Sequence, residues 1–123
     1  MSAYHEIFVH PGRPLERLVS DVSIACGTPL EPVEDESITH RANLGFAAVE
    51  VEPSHEFEED RGLAFDRYDS LVTVRDFGKD MERQEAAARR IFEALASLRR
   101  YRLLLVHDVQ RFIASAEPEG PDS

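Results

Sequence analysis

Three groups of residues in this 123-residue chain have side chains that could do chemistry. The first is His40, His55, Glu56, Glu58, Glu59 and Asp60, a mixture of imidazoles and carboxylates. Such groups ligate divalent cations. Their spacing, however, matches neither a two-histidine helical zinc motif, nor paired cysteines, nor a calcium loop of alternating ligands around a glycine. A run of carboxylates is more simply a solvated face, and no metal is expected. The second group is His107-Asp108, which closes an apolar run at a point where side chains emerge from a sheet. Neighbours in a strand point to opposite faces, so these two do not form an acid–base dyad alone. His5, Asp69 or Asp76 would have to approach through the fold. No nucleophile elbow, phosphate loop or dinucleotide fingerprint accompanies them, so no catalytic residue and no cofactor is assigned. The third group is Glu56, Phe57, Glu58, Glu59, Asp60, Phe65 and Tyr68. Negative charge beside large aromatic rings suits a partner-binding loop, where charge steers a basic partner and rings anchor it.

The net charge of −10 is unevenly spread. Residues 31–60 hold ten carboxylates against Arg41, whereas residues 75–111 hold nine Arg and Lys against six Asp and Glu. Phosphates repel an acidic surface, which argues against nucleic acid as a direct ligand and for a basic protein partner. Thirty residues match one side of a standard interface of roughly 800 Å². The competing role for this charge is solubility alone. Cys26 is the sole cysteine, so no internal disulfide forms, and no basic neighbour in sequence activates it. It reads as a small core residue. There is no basic-then-apolar leader at the front and no apolar run long enough for a bilayer, so a soluble cytoplasmic protein is expected. Lys79 is the single lysine among many arginines, a codon signature of a GC-rich bacterial genome.

The elements that must position these residues are organised around 80–113. Asp80 suits an N-cap, and Met81, Ala88, Ile91, Phe92, Leu95 and Leu98 then recur at three- and four-residue steps, predicting an amphipathic helix. Glu85 and Arg89 on its outer face form a favourable i,i+4 pair. Leu103 to Val106 is an apolar run without alternation, which predicts a central strand covered on both sides. Residues 109–113 read as a returning strand or a short helix, with the strand favoured. Residues 4–9 predict the first strand. Leu15, Leu18, Val22 and Cys26 predict a helix that Gly27 ends. Residues 38–44 and 46–52 predict a hairpin that turns at Asn43-Leu44-Gly45, and residues 71–74 another strand. Pro53 guards the exposed edge that could otherwise pair two chains into a homodimer.

The expected fold is therefore an α+β two-layer sandwich: a mainly antiparallel sheet of five or six strands, two helices on one face, order β-α-β-β-β-α-β. Its front β-α-β resembles half of a ferredoxin-like fold. One domain spans 1–114, and 115–123 is a polar tail.

Residues 66–74 (Asp66-Arg67-Tyr68-Asp69-Ser70-Leu71-Val72-Thr73-Val74), the helix at 80–98 and residues 101–108 (Tyr101-Arg102-Leu103-Leu104-Leu105-Val106-His107-Asp108) form a strand, long helix and hydrophobic strand. That arrangement, about half the chain, is similar in pattern to small immunity proteins of bacterial polymorphic-toxin systems. The resemblance implies a non-enzymatic inhibitor that covers a toxin's active site, and an acidic face would suit a nuclease toxin with a basic cleft. It carries over no functional residue. The alternative is a small-molecule-binding or enzymatic domain. Its pocket would lie between the sheet and residues 54–69, lined by Phe57, Phe65 or Tyr68 with His55 or His107.

Overall fold

The computed structural model describes residues 3–35, 37–60 and 62–118. Within them the chain runs β1 (His5–His10), α1 (Leu15–Cys26), β2 (Glu31–Pro32), β3 (His40–Asn43), β4 (Ala47–Glu52), β5 (Ser70–Asp76), α2 (Met81–Ser97), β6 (Arg102–His107) and β7 (Arg111–Ala116). The strands lie in the order β2-β3-β4-β5-β1-β6-β7, each paired antiparallel to its neighbours. The α+β class and the antiparallel sheet agree with the sequence reading. The strand count is seven rather than five or six. The additions are the two-residue β2, inside the acidic connector, and β7, the returning strand favoured over a helix. Because β7 reaches Ala116, Ser115 and Ala116 belong to the sheet rather than to a tail. Residues 119–123 of the expected tail lie outside the described residues.

Period-two alternation sorts the strands into two faces. Ile7, Val9, Val49, Val51, Val72, Val74, Leu103 and Leu105 form the larger core with Leu18 and Val22 of α1 and Ala88, Ile91 and Leu95 of α2. Both helices therefore cover the same face, as their single apolar stripes require. Asp80 caps α2 by accepting the Arg83 N–H at 3.1 Å. Gly27, at φ +71, ends α1, and its N–H donates to Ile24 O. Two polar residues sit on the apolar stripes. Asp21 is buried under Arg100 and Tyr101, which both donate to its Oδ2. Gln84 is buried where α2 meets β1, while Leu98 lies half-exposed past the end of the helix.

One topological expectation needs correction. Leu103 to Val106 is buried on both faces, yet β6 is the second strand from an edge rather than a central one. Its second cover comes from Leu63, Phe65 and Tyr68 of the 54–69 loop and from Val109 in the turn after β6. The front β-α-β has the split, ferredoxin-like arrangement: β1, α1 and β4 form it, with β5 inserted between its two strands. A second split unit is β5-α2-β6 at the back, with β1 inserted between its two strands. The sheet edges are blunted differently: β2 has two residues and a proline, and β7 carries a bulge opposite Leu105 and Val106.

Candidate functional site

The face away from the helices carries the chemistry. Registers place Arg41, Glu50, Thr73, Glu6 and Val106 in one row across β3, β4, β5, β1 and β6. Glu50 is buried and neutralised: Oε2 accepts from Arg41 Nε at 2.8 Å and from Arg75 Nη2 at 3.0 Å. Glu6, only 6 % exposed, is held differently. Its Oε1 accepts the Val109 N–H at 3.0 Å, in a β6–β7 turn whose Asp108 and Val109 both have positive φ, +59 and +53. A β-branched residue in that region is strained by roughly 1–3 kcal/mol. The Glu6 bond helps to hold it there. Burial, reinforced by the Asp108 charge and opposed by the Val109 N–H, pushes the Glu6 carboxyl up to about 8. Burial also raises Glu52, its neighbour in the same hollow.

Beside this row the 53–69 loop folds back over Phe8. Phe65 stacks on Phe8 at 4.6 Å between centroids, and His55 meets the same ring edge-on at 4.9 Å. His55 Nδ1 accepts the Phe57 N–H, so its other nitrogen donates to Tyr68 O at 2.7 Å. Ser70 Oγ donates to Pro53 O at 2.8 Å, and the Gly12 N–H donates to Asp69 Oδ1 at 2.8 Å. The crossing at Gly12 is too close for any side chain, since a Cβ there would lie 1.8 Å from Ser70 Oγ.

The predicted partner-binding residues thus divide into two sets. Phe65, 1 % exposed, and the half-buried Tyr68 serve as the loop's own anchors and are not presented to a partner. Phe57 is 41 % exposed and is flanked by exposed Glu56, Glu58, Glu59 and Asp60. It contributes to the walls of three adjoining hollows of about 500, 370 and 270 Å³. Glu6, Glu50, Glu52, Tyr4 and Thr73 line the smallest. Another hollow of about 380 Å³ at the far end of the sheet has Asp76 in its wall, but that carboxylate is engaged by the Arg83 guanidinium.

The other sequence candidates are dispersed. His40 pairs across from Val51 and faces α1, whereas His55 faces Phe8 on the opposite side of the sheet. The two cannot share a metal with Glu56–Asp60, and no group of three potential ligands converges among the described residues. His107 also faces the helices, so it does not line a pocket with Phe57. It does meet His5, its cross-strand partner. Asp69 approaches His10 at 3.8 Å, and Asp76 is held by Arg83. Burial pushes the Cys26 thiol up to about 11, which suits a core residue rather than a nucleophile. The sequence reading missed Glu6, Glu50, Glu52 and Thr73 as a set. The alternation of β4 and β5 exposed their polar face; what the sequence lacked was the register that sets Glu6 beside Thr73 and Glu50.

No helix among the described residues is long and apolar enough to cross a membrane. No family model, curated protein or solved structure matches the chain.

Proposed function

We propose that the chain is an acidic partner-binding protein of the immunity or inhibitor kind, docking a basic protein on the loop-covered face around Phe57. One observation carries this reading. Phe57 is a large exposed ring bordering hollows, flanked by Glu56, Glu58, Glu59 and Asp60, and buried Phe65 fixes the loop beneath it. An aromatic anchor ringed by charge matches the anatomy of a binding hot spot.

The test is capture of a partner from lysate of the source organism by tagged wild type, Phe57→Ala and the triple reversal of Glu56, Glu58 and Glu59 to Lys. A single basic protein, held by wild type at low salt and released at high salt, is expected to be lost in both variants. Retention unchanged by either variant would remove this face from the function. Phe57→Ala also gives up the edge-on contacts of this ring with Phe8 and Phe65, so it should cost about 1 kcal/mol of stability and leave the chain folded.

A second reading is small-molecule binding between sheet and loop. The buried Glu6 carboxyl, pushed up to about 8 in a hollow, favours it, because such groups gather at functional sites. A thermal-shift screen of small cations and amines distinguishes it. A Tm rise abolished by Glu6→Gln would support this reading, and no hit would leave the partner-binding reading standing alone.

A further inference from the structure

On the helix-covered side, His5 is 1 % exposed and lies against His107, with ring centroids 4.5 Å apart. Its surroundings fix its protonation. The Asp76 N–H donates to Gln84 Oε1 at 2.9 Å, and Gln84 Nε2 donates to Ala3 O at 2.9 Å. These two contacts determine which end of the Gln84 amide is which. The same Nε2, at 2.7 Å from His5 Nδ1, must therefore donate to it, so Nδ1 is an acceptor. The neutral ring carries its hydrogen on Nε2. That atom lies 3.4 Å from Glu85 Oε1 without hydrogen-bond alignment, and His107 Nε2 is likewise buried without a partner among the described residues.

We propose that the Gln84–His5–His107 contact is a pH-sensitive latch, which holds the first turns of α2 on β1 and β6 while His5 is neutral and releases them when it is protonated. A proton on Nδ1 would face the Gln84 N–H. Turning the amide over to relieve that clash would set its nitrogen against the Asp76 N–H and its oxygen against Ala3 O. One proton thus disrupts a junction joining β1, the end of β5, α2 and the N-terminal segment.

The groups around the ring mostly oppose its charge. His107 stacks on it from β6, and Arg111 approaches from β7. From α2 come Gln84, Met81 and Glu85, and β5 contributes apolar Val74. Glu85 favours the charged ring, but its oxygens already accept from Arg89 at 2.9 Å and from Arg111 at 3.2 Å. Burial is the largest influence, and the balance holds His5 below its ordinary 6.5. The same tautomer argues against metal capture at Nε2, because a ligand there must lose the proton that the Gln84 contact keeps in place.

Imidazole nitrogen NMR on the wild-type chain tests this directly. Expected is a His5 ring with Nε2 protonated and Nδ1 unprotonated above pH 6.5. Its titration midpoint should fall below 6.5, and its protonation should coincide with movement of the Gln84 side-chain amide and faster exchange of amides in the first turns of α2. An Nδ1–H tautomer, or a titration that leaves the Gln84 amide unmoved, would overturn the latch. Gln84→Glu supplies an independent arm, since a carboxylate can accept an Nδ1–H. His5 should then titrate at higher pH than in wild type, and an unshifted midpoint would count against the mechanism. If that variant does not fold, the wild-type spectra decide alone. For one proton, the unfolding constant changes by at most about tenfold per pH unit.

Discussion

The two faces of the sheet are built from the same strands and do different work. Toward the helices, Ile7, Val9, Val72, Val74, Leu103 and Leu105 meet two apolar helix stripes in a continuous core. Toward the loop, the alternate residues give a polar row of Arg41, Glu50, Thr73 and Glu6, beside a small cluster of Phe8, Phe65, Leu71, Leu104 and Val106. Period-two alternation lets one strand serve both, because each residue type can change without disturbing the other face. The division is crossed at β1. His5 brings a titratable group into the helix side, and Glu6 brings a buried carboxyl to the open side.

Substitutions separate the two faces. The largest effect is expected for Leu95→Ala, which empties a fully buried position under α2 and should cost about 2–5 kcal/mol in urea unfolding. Next comes Glu6→Gln. The Glu6 folded-state value of about 8 stands above its ordinary 4.5, so the native chain binds the extra proton. The stability this contributes is full below pH 4.5 and is lost as pH rises through 8. Glu6→Gln should lose that alkaline decline, about 4 kcal/mol relative to wild type between pH 5 and 8.5. His5 has the opposite sign. Its depressed value gives stability that is present above 6.5 and is lost as pH falls below it. In wild type the two slopes offset each other just below 6.5. Glu6→Gln should therefore uncover an acid decline there, read as a falling Tm.

Phe65→Ala should follow, at about 1–3 kcal/mol. Because its cluster lies under the loop alone, hydrogen exchange should quicken across 54–69 while β1 and β5 stay protected. Equal loss of protection in both would show that the faces are one cooperative unit. Arg89→Ala should be smallest, about 0.3–0.5 kcal/mol for an exposed i,i+4 pair. It also frees Glu85 for His5, so the His5 midpoint should rise.

Local signals in the sequence reported the helices and their caps faithfully. Asp80 and Gly27 act through neighbours one turn away, and β4 and β5 show their alternation openly. Gln84 was also within reach: it falls on the 81, 84, 88, 91 and 95 stripe, and only its polar type concealed its burial. Strand order could not be read, because β1 pairs with residues 61 to 102 positions away. β7 stayed ambiguous because its bulge interrupts the alternation at Phe112 and Ile113. Phe65 and Phe57 look alike in sequence, since both meet Phe8 and only the depth of each ring in the fold separates the internal anchor from the exposed one. The meeting of His5 and His107 depends on register alone.

The insertion of β1 between β5 and β6 also governs how the sheet can assemble. Its backbone groups on one edge wait for Ser70 to Val74, and those on the other for Arg102 to His107. Hairpins such as β3–β4 and β6–β7 can close early over short loops, but the middle of the sheet needs both distant segments delivered to one strand. Loop closure must precede the contacts that reward it, which places this chain among high-contact-order folders, at milliseconds to seconds rather than microseconds.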